Sequence, residues 1–146
     1  MSTQIQTASS KKVFVDLDGY DRIRAHSPQH INQAIEQQMQ HNVHDAGELD
    51  ENRLSDKIER LDREWDIDRA LMLFFAAAVS TTVLLGTRKN RKWLGLLAIQ
   101  LPFLAYHATV GWCPPVSLFR RLGFRSSKEI DAEKYAMKTL RGDFVA

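Results

Sequence analysis

The chain has 146 residues, 20 Lys/Arg against 18 Asp/Glu, and one cysteine, Cys113; this is room for one ordinary domain or for a small membrane module with soluble flanks. A lone cysteine excludes a disulfide framework within the chain. The near-neutral total hides a split, with 9 Lys/Arg against 14 Asp/Glu in residues 1–69 (net −5) and 11 against 4 in residues 70–146 (net +7).

The basic half carries its charges beside two apolar runs, so anionic lipid headgroups account for them better than nucleic acid does. Residues 1–26 are expected to form a disordered or extended tail. Met1–Lys12 is rich in Ser, Thr and Gln and lacks the apolar core of a secretory signal. The alternation in Val13-Phe14-Val15 before Asp18-Gly19 would suit a brief strand with a turn.

Residues 27–66 read as a soluble helical segment. Ser27-Pro28 offers an N-cap and a first-turn proline ahead of Ile31, Ala34, Ile35 and Met39, predicting a helix over 28–43 that ends at Asp45-Ala46-Gly47. A second helix is expected from Leu54, Ile58, Leu61 and Trp65, an apolar stripe on an otherwise charged segment.

The strongest signal lies at 67–115. Ala70 to Gly86 has no charged residue, and from Trp93 to Trp112 only His107 titrates near neutrality. A hydrocarbon core of about 30 Å asks for about 20 apolar residues in a helix. The two runs therefore predict a transmembrane hairpin with helices at 68–86 and 93–112, joined by the short loop Thr87 to Lys92. Trp93 and Trp112 sit where interfacial indoles are usual, and Arg69, Arg88 and Lys92 can reach headgroups. The competing arrangement is a soluble protein with the hairpin buried in its core, which would need a thick amphipathic shell.

Nine basic residues flank the outer ends (Arg53, Lys57, Arg60, Arg63, Arg69, Arg120, Arg121, Arg125, Lys128) against four in the loop. That count favours cytoplasmic termini. Residues 116–146 complete the chain as a basic segment with one helix. Pro114-Pro115 is read as the stop of the second apolar helix. Ser126-Ser127-Lys128-Glu129 matches a capping box, starting a helix that runs to Leu140 with Ile130, Met137 and Leu140 on one face. The fold class expected is all-α.

Polar groups within apolar runs usually face a partner or a cavity. Gln100, Tyr106 and His107 are the candidates for an intramembrane polar site. His107 and Cys113 lie nearly two turns apart and could form a thiol–imidazole pair, although a cysteine at a helix C-terminus has the dipole against its thiolate. Pro102 frees the carbonyl near Ala98 and permits a bend. Ala76 with Ser80, and Ala78 with Thr82, are small-residue pairs suited to close helix packing, within the chain or between copies. His41 and His44 read as surface histidines. No phosphate-binding glycine loop, G-x-S-x-G elbow or dinucleotide fingerprint occurs, so no catalytic residue, metal or cofactor is assigned.

Gly111-Trp112-Cys113-Pro114 at the end of the second apolar run resembles the signature of the YgaP-like transmembrane domain family, two-helix bacterial inner-membrane proteins of uncharacterised function. The resemblance extends over about 60–144, through Leu61-Asp62-Arg63-Glu64-Trp65-Asp66, Glu129-Ile130-Asp131 and Arg141-Gly142-Asp143-Phe144. It implies an inner-membrane location, often a helix–helix dimer, and cytoplasmic termini, since some relatives carry a cytoplasmic rhodanese domain. This chain has neither that domain nor a second cysteine to serve as its nucleophile, so sulfurtransferase activity does not carry over. Two roles remain: a non-enzymatic anchor, oligomerisation or interaction module whose partners are the bilayer, further copies of itself or another protein; or a thiol-based module handling sulfur or an anion at Cys113.

Overall fold

A computed structural model describes residues 21–144, and in it five of the helical elements start at a polar side chain, Asp21, Asp50, Asp66, Asn90 or Ser126, that satisfies free amides of the first turn. Asp21 caps α1 (Arg22–Ala25), and α2 (Gln29–Ala46) follows after Pro28. Asp50 caps α3 (Glu51–Arg63) and Asp66 caps α4 (Ile67–Arg88). A 3-10 turn, Arg91–Leu96, leads into α5 (Leu97–Val110). Then come α6 (Pro114–Arg121) and α7 (Ser127–Arg141), the latter opened by a complete capping box between Ser126 and Glu129. All of the described regular structure is helical, so the chain is all-α.

Apolar spacing decides which faces meet. Leu54, Ile58 and Leu61 of α3 lie buried against Ala46, Ile130 and Met137, and Ile35 and Met39 of α2 pack beside Ala132. Each such side chain contributes about 1.5–3 kcal/mol on full burial, so this stripe holds α2, α3 and α7 together as a cap.

α4 and α5 run antiparallel. Gln100 Nε2 donates to Thr82 Oγ1 at 3.1 Å near the loop end, and His107 Nε2 lies 3.3 Å from Asp68 Oδ1 at the other. The segments Glu51–Arg88 and Arg91–Val110 each contain a stretch long and apolar enough to cross a membrane. No residue of α5 is buried, and Met72, Leu73, Phe74, Val83 and Leu84 of α4 are exposed. The described residues thus leave the hairpin outside any enclosing shell, unlike the soluble arrangement considered above.

Cap and hairpin share a core. Ile67, Leu71 and Phe75 from the foot of α4 pack with Ile23 of α1, Cys113, and Val116 of α6. The Ile67 N–H donates to the Arg125 carbonyl at 2.9 Å, tying the start of the hairpin to the turn before α7.

Several expectations need correction. A tail reaching residue 26 is not what the structure has: 22–25 are helical and Asp21, Ile23 and Arg24 are buried; the strand expected at Val13-Phe14-Val15 lies outside the described residues. Ser27 does not cap α2, because its hydroxyl donates to the Ile23 carbonyl at 2.6 Å and Pro28 holds the cap position. Trp65 does not continue the α3 stripe: the helix stops at Arg63 and the indole is exposed. Leu140 is half exposed while Ile130 and Met137 are buried. The second apolar helix ends at Val110, and Pro114-Pro115 starts a further helix, α6, where a basic segment with a single helix was expected. Proline at the first helical position loses no hydrogen bond the helix needs.

Candidate functional site

The foot of the hairpin holds the most unusual chemistry among the described residues. Asp66 accepts from the Arg69 N–H at 2.7 Å and thereby fixes the first turn of α4. Asp68 follows in that turn, where the helix dipole favours a carboxylate. His107 stands in the last turn of the antiparallel α5, where the dipole favours a cation, and the two side chains meet. The other ring nitrogen, Nδ1, is buried with no partner.

α5 ends at Gly111, whose φ of +83° is the left-handed cap that glycine adopts without penalty. The Arg22 guanidinium donates to the free carbonyls of Ala108 and Thr109, at 3.2 and 2.9 Å. A Cβ at position 111 would lie 2.6 Å from Arg22 Cβ, so α1 approaches this close only because residue 111 is glycine. Between α4, α5, α1 and the start of α7 lies a cavity of about 380 Å³, lined by Asp21, Arg22, Asp68, His107, Ser126 and Lys128 among others. Its lining offers both charge signs and an imidazole, a set able to hold a small polar or zwitterionic group and to accept a proton.

Below the cavity lies a buried ionic lattice. Arg120 makes a bidentate pair with Glu129, at 2.6 and 3.0 Å, and donates to Asn32 Oδ1 at 2.7 Å. Arg24 bridges Glu129 and Glu36 at 3.3 and 3.2 Å. Arg125 pairs with Glu64 and Glu133, Asn42 donates to Glu133 at 2.9 Å, and the Ser126 hydroxyl bonds Asp21. Burial alone would raise the Glu129 carboxyl, but the hydrogen bonds and charge of Arg120, the Ser126 amide and the Arg24 charge together hold it below the ordinary carboxylate range. This lattice ties α1, α2, α6 and α7 together.

Gly111-Trp112-Cys113-Pro114 acts as a joint. Gly111 stops α5, Trp112 packs edge-to-face on Tyr106, Cys113 occupies the cap position of α6, and Pro114 is its first residue. Cys113 therefore stands before a helix N-terminus, and the expectation of a C-terminal dipole opposing its thiolate is corrected. The thiol is nonetheless fully buried, and that burial pushes its pKa up against the opposing Val116 amide. His107 pairs with Asp68, and no contact joins it to Cys113 among those described.

The three intramembrane candidates are not brought together. Gln100 bonds Thr82 with its amide nitrogen while its Oε1 is buried without a partner; His107 faces the cavity; Tyr106 points outward into an apolar groove with Ile99, Pro102, Phe103 and Trp112. Of the small-residue pairs, Ala78 and Thr82 are partly or fully buried, whereas Ala76 and Ser80 are exposed. His41 and His44 are exposed, 3.4 and 3.7 Å from Asp45. Reading the sequence missed Asp68 and Arg22, and the burial of Arg24, Arg120, Glu129 and Glu133. Asp68 had a signal, an acid one residue into the first apolar helix at the end where an antiparallel partner brings His107. Comparison with family models, curated proteins and solved structures gives no match to this chain.

Proposed function

We propose that this is a small two-helix integral membrane protein of the YgaP-like kind, a non-enzymatic anchor and interaction module that carries a compact helical cap at the foot of its hairpin. The observation that carries the reading is the apolar exposure of α4 and α5. Met72, Leu73, Leu84, Ile99, Leu101 and Phe103 project outward, with no residue of α5 buried among those described. Left in water, so extensive an apolar surface would drive association with other apolar surfaces; in lipid it is solvated, and each helix satisfies its own amides.

The basic flanks support cytoplasmic termini and a cap on the cytoplasmic face, and the resemblance of Gly111 to Pro114 supports a bacterial inner membrane. Ala76 and Ser80, exposed on α4, offer a small-residue face to a second copy of the hairpin. The thiol-based alternative would need Cys113 to be reached and ionised. Its burial and raised pKa give that role no support.

Membranes washed with alkaline carbonate should retain the full chain in the pellet. Folded protein in a detergent-free supernatant would overturn the reading. The oligomerisation half rests on mass measurement in detergent, where a strictly monomeric species across conditions would remove it.

A further inference from the structure

α6 is built inside out. Its inward face carries Val116 and the guanidinium of Arg120, which is 1% exposed, whereas Leu118 and the C-cap residue Leu122 stand outward at 59% and 65%. In a helix surrounded by water the opposite arrangement is favoured, with leucines inward and arginine in solvent. The inversion is meaningful if the medium outside α6 is apolar.

Its surroundings agree. Phe119 packs edge-to-face on Phe74 of α4 and on Phe124, with centroids 6.1 and 5.3 Å apart. Together with Trp65 and Leu73 these rings line an apolar groove of about 440 Å³ that continues the outward surface of the hairpin down onto α6. Arg69, next in sequence to the lining residue Ala70, and Arg121, two residues after Phe119, are exposed, Arg69 turned towards Asp66 at 3.4 Å. Half-exposed aromatic rings beside outward leucines and flanked by arginines form the pattern of an element lying at the level of lipid headgroups.

We propose that α6 is an interfacial helix lying in the same membrane that the hairpin crosses, with Leu118, Leu122 and the Trp65 indole in the headgroup–acyl boundary and Arg121 directed to lipid phosphates. The proposal rests on the hairpin reading and adds a second membrane contact to it. It fixes the depth of the cap: the cavity at Asp68 and His107 then opens at headgroup level.

The test is nitroxide accessibility in the full chain, reconstituted in vesicles of phosphatidylcholine with a minority of phosphatidylglycerol. Labels are placed singly through Leu118→Cys and Leu122→Cys, with Leu84→Cys as hairpin reference and Gln37→Cys, exposed on α2, as aqueous reference. Native Cys113 stays in place because it is buried. The ratio of collisions with oxygen to collisions with a nickel chelate should be severalfold higher at 118 and 122 than at 37, approaching the value at 84. A lipid-like ratio at 84 with water-like ratios at 118 and 122 overturns the interfacial helix and leaves the hairpin standing. A water-like ratio at 84 overturns the hairpin and the proposal with it. Exclusion of both collision partners at 118 and 122, with dipolar broadening between labels, shows a second copy covering α6 and also overturns it.

Discussion

Gly111 is held by two separate constraints, and a control residue separates them. Its φ of +83° is shared with Gly123 at +90°, but at Gly123 nothing lies within 4 Å of an added Cβ, whereas at Gly111 Arg22 Cβ stands 2.6 Å away. Gly123→Ala should cost only the left-handed penalty, roughly 1–2 kcal/mol. Gly111→Ala should cost more, because α1 must also withdraw and release the carbonyls that Arg22 caps. Thermal midpoints in detergent compare the two, and equal losses would mean that α1 yields freely. Glu129 is the second residue on which much depends. Its folded pKa is depressed, so its contribution is fully present above the unfolded carboxylate value and is lost as pH falls through the lower folded value. Glu129→Gln leaves Arg120 and Arg24 buried beside a neutral amide, which should cost about 3–5 kcal/mol at neutral pH. The same variant should flatten the acid limb of the stability profile. An unfolding midpoint that falls with pH as steeply in the variant as in the parent would show that other carboxylates govern acid lability.

At the scale of elements, the α4–α5 seam has a side-chain bond at each end, Gln100–Thr82 and His107–Asp68, and the first is unevenly satisfied. Gln100 donates to Thr82 but its Oε1 finds no partner. With the hairpin in lipid as proposed, interhelical bonds average about 0.6 kcal/mol, so Gln100→Leu, which removes both the bond and the unmet acceptor, should come out close to neutral. Thr82→Val keeps the shape but leaves Gln100 wholly unmet in an apolar seam, and should be the more damaging change in a detergent unfolding titration. The reverse order would mean that Gln100 has an outward partner. The elements also show what was legible beforehand. Long apolar runs, the Ser126 to Glu129 capping box and the Leu54, Ile58 and Leu61 part of the α3 stripe each have a local cause; the capping box and those three buried positions appear where the spacing placed them, and the apolar runs do so with shifted ends. α6 did not, because Pro114-Pro115 serves equally as a stop for the preceding helix and a start for the next; only the left-handed Gly111 and the extended Cys113 between them decide. The buried ionic lattice was unreadable for a different reason. Arg24, Arg120 and Glu129 resemble any surface charge in sequence, and their burial follows from how α1, α6 and α7 meet across separations of up to 105 residues.

Across the whole molecule, the cap and hairpin are joined through one shared core. The core that joins them contains residues of α1, α4 and α6 packed around a single thiol. Ile23 and Val116 are held over Cys113 by helices that the Arg24–Glu129–Arg120 cluster binds to α7. The free thiol is therefore a built-in reporter: a maleimide can reach it only when that joint parts, and its labelling rate measures the population of the open form. In intact micelles, labelling of the full chain should be far slower than that of a small thiol at the same pH. Burial also pushes the thiol pKa above its ordinary value, so the rate should still be rising at alkaline pH where an exposed thiol has levelled off. Denaturation in strong detergent should restore the ordinary rate. Glu129→Gln should raise the micellar rate although Glu129 belongs to α7 and not to the core around the thiol, because loss of the lattice loosens α1 and α6 together. Labelling of the native protein at the rate of an exposed thiol would show that the joint stands open, and that the cap moves on the hairpin as a separate body.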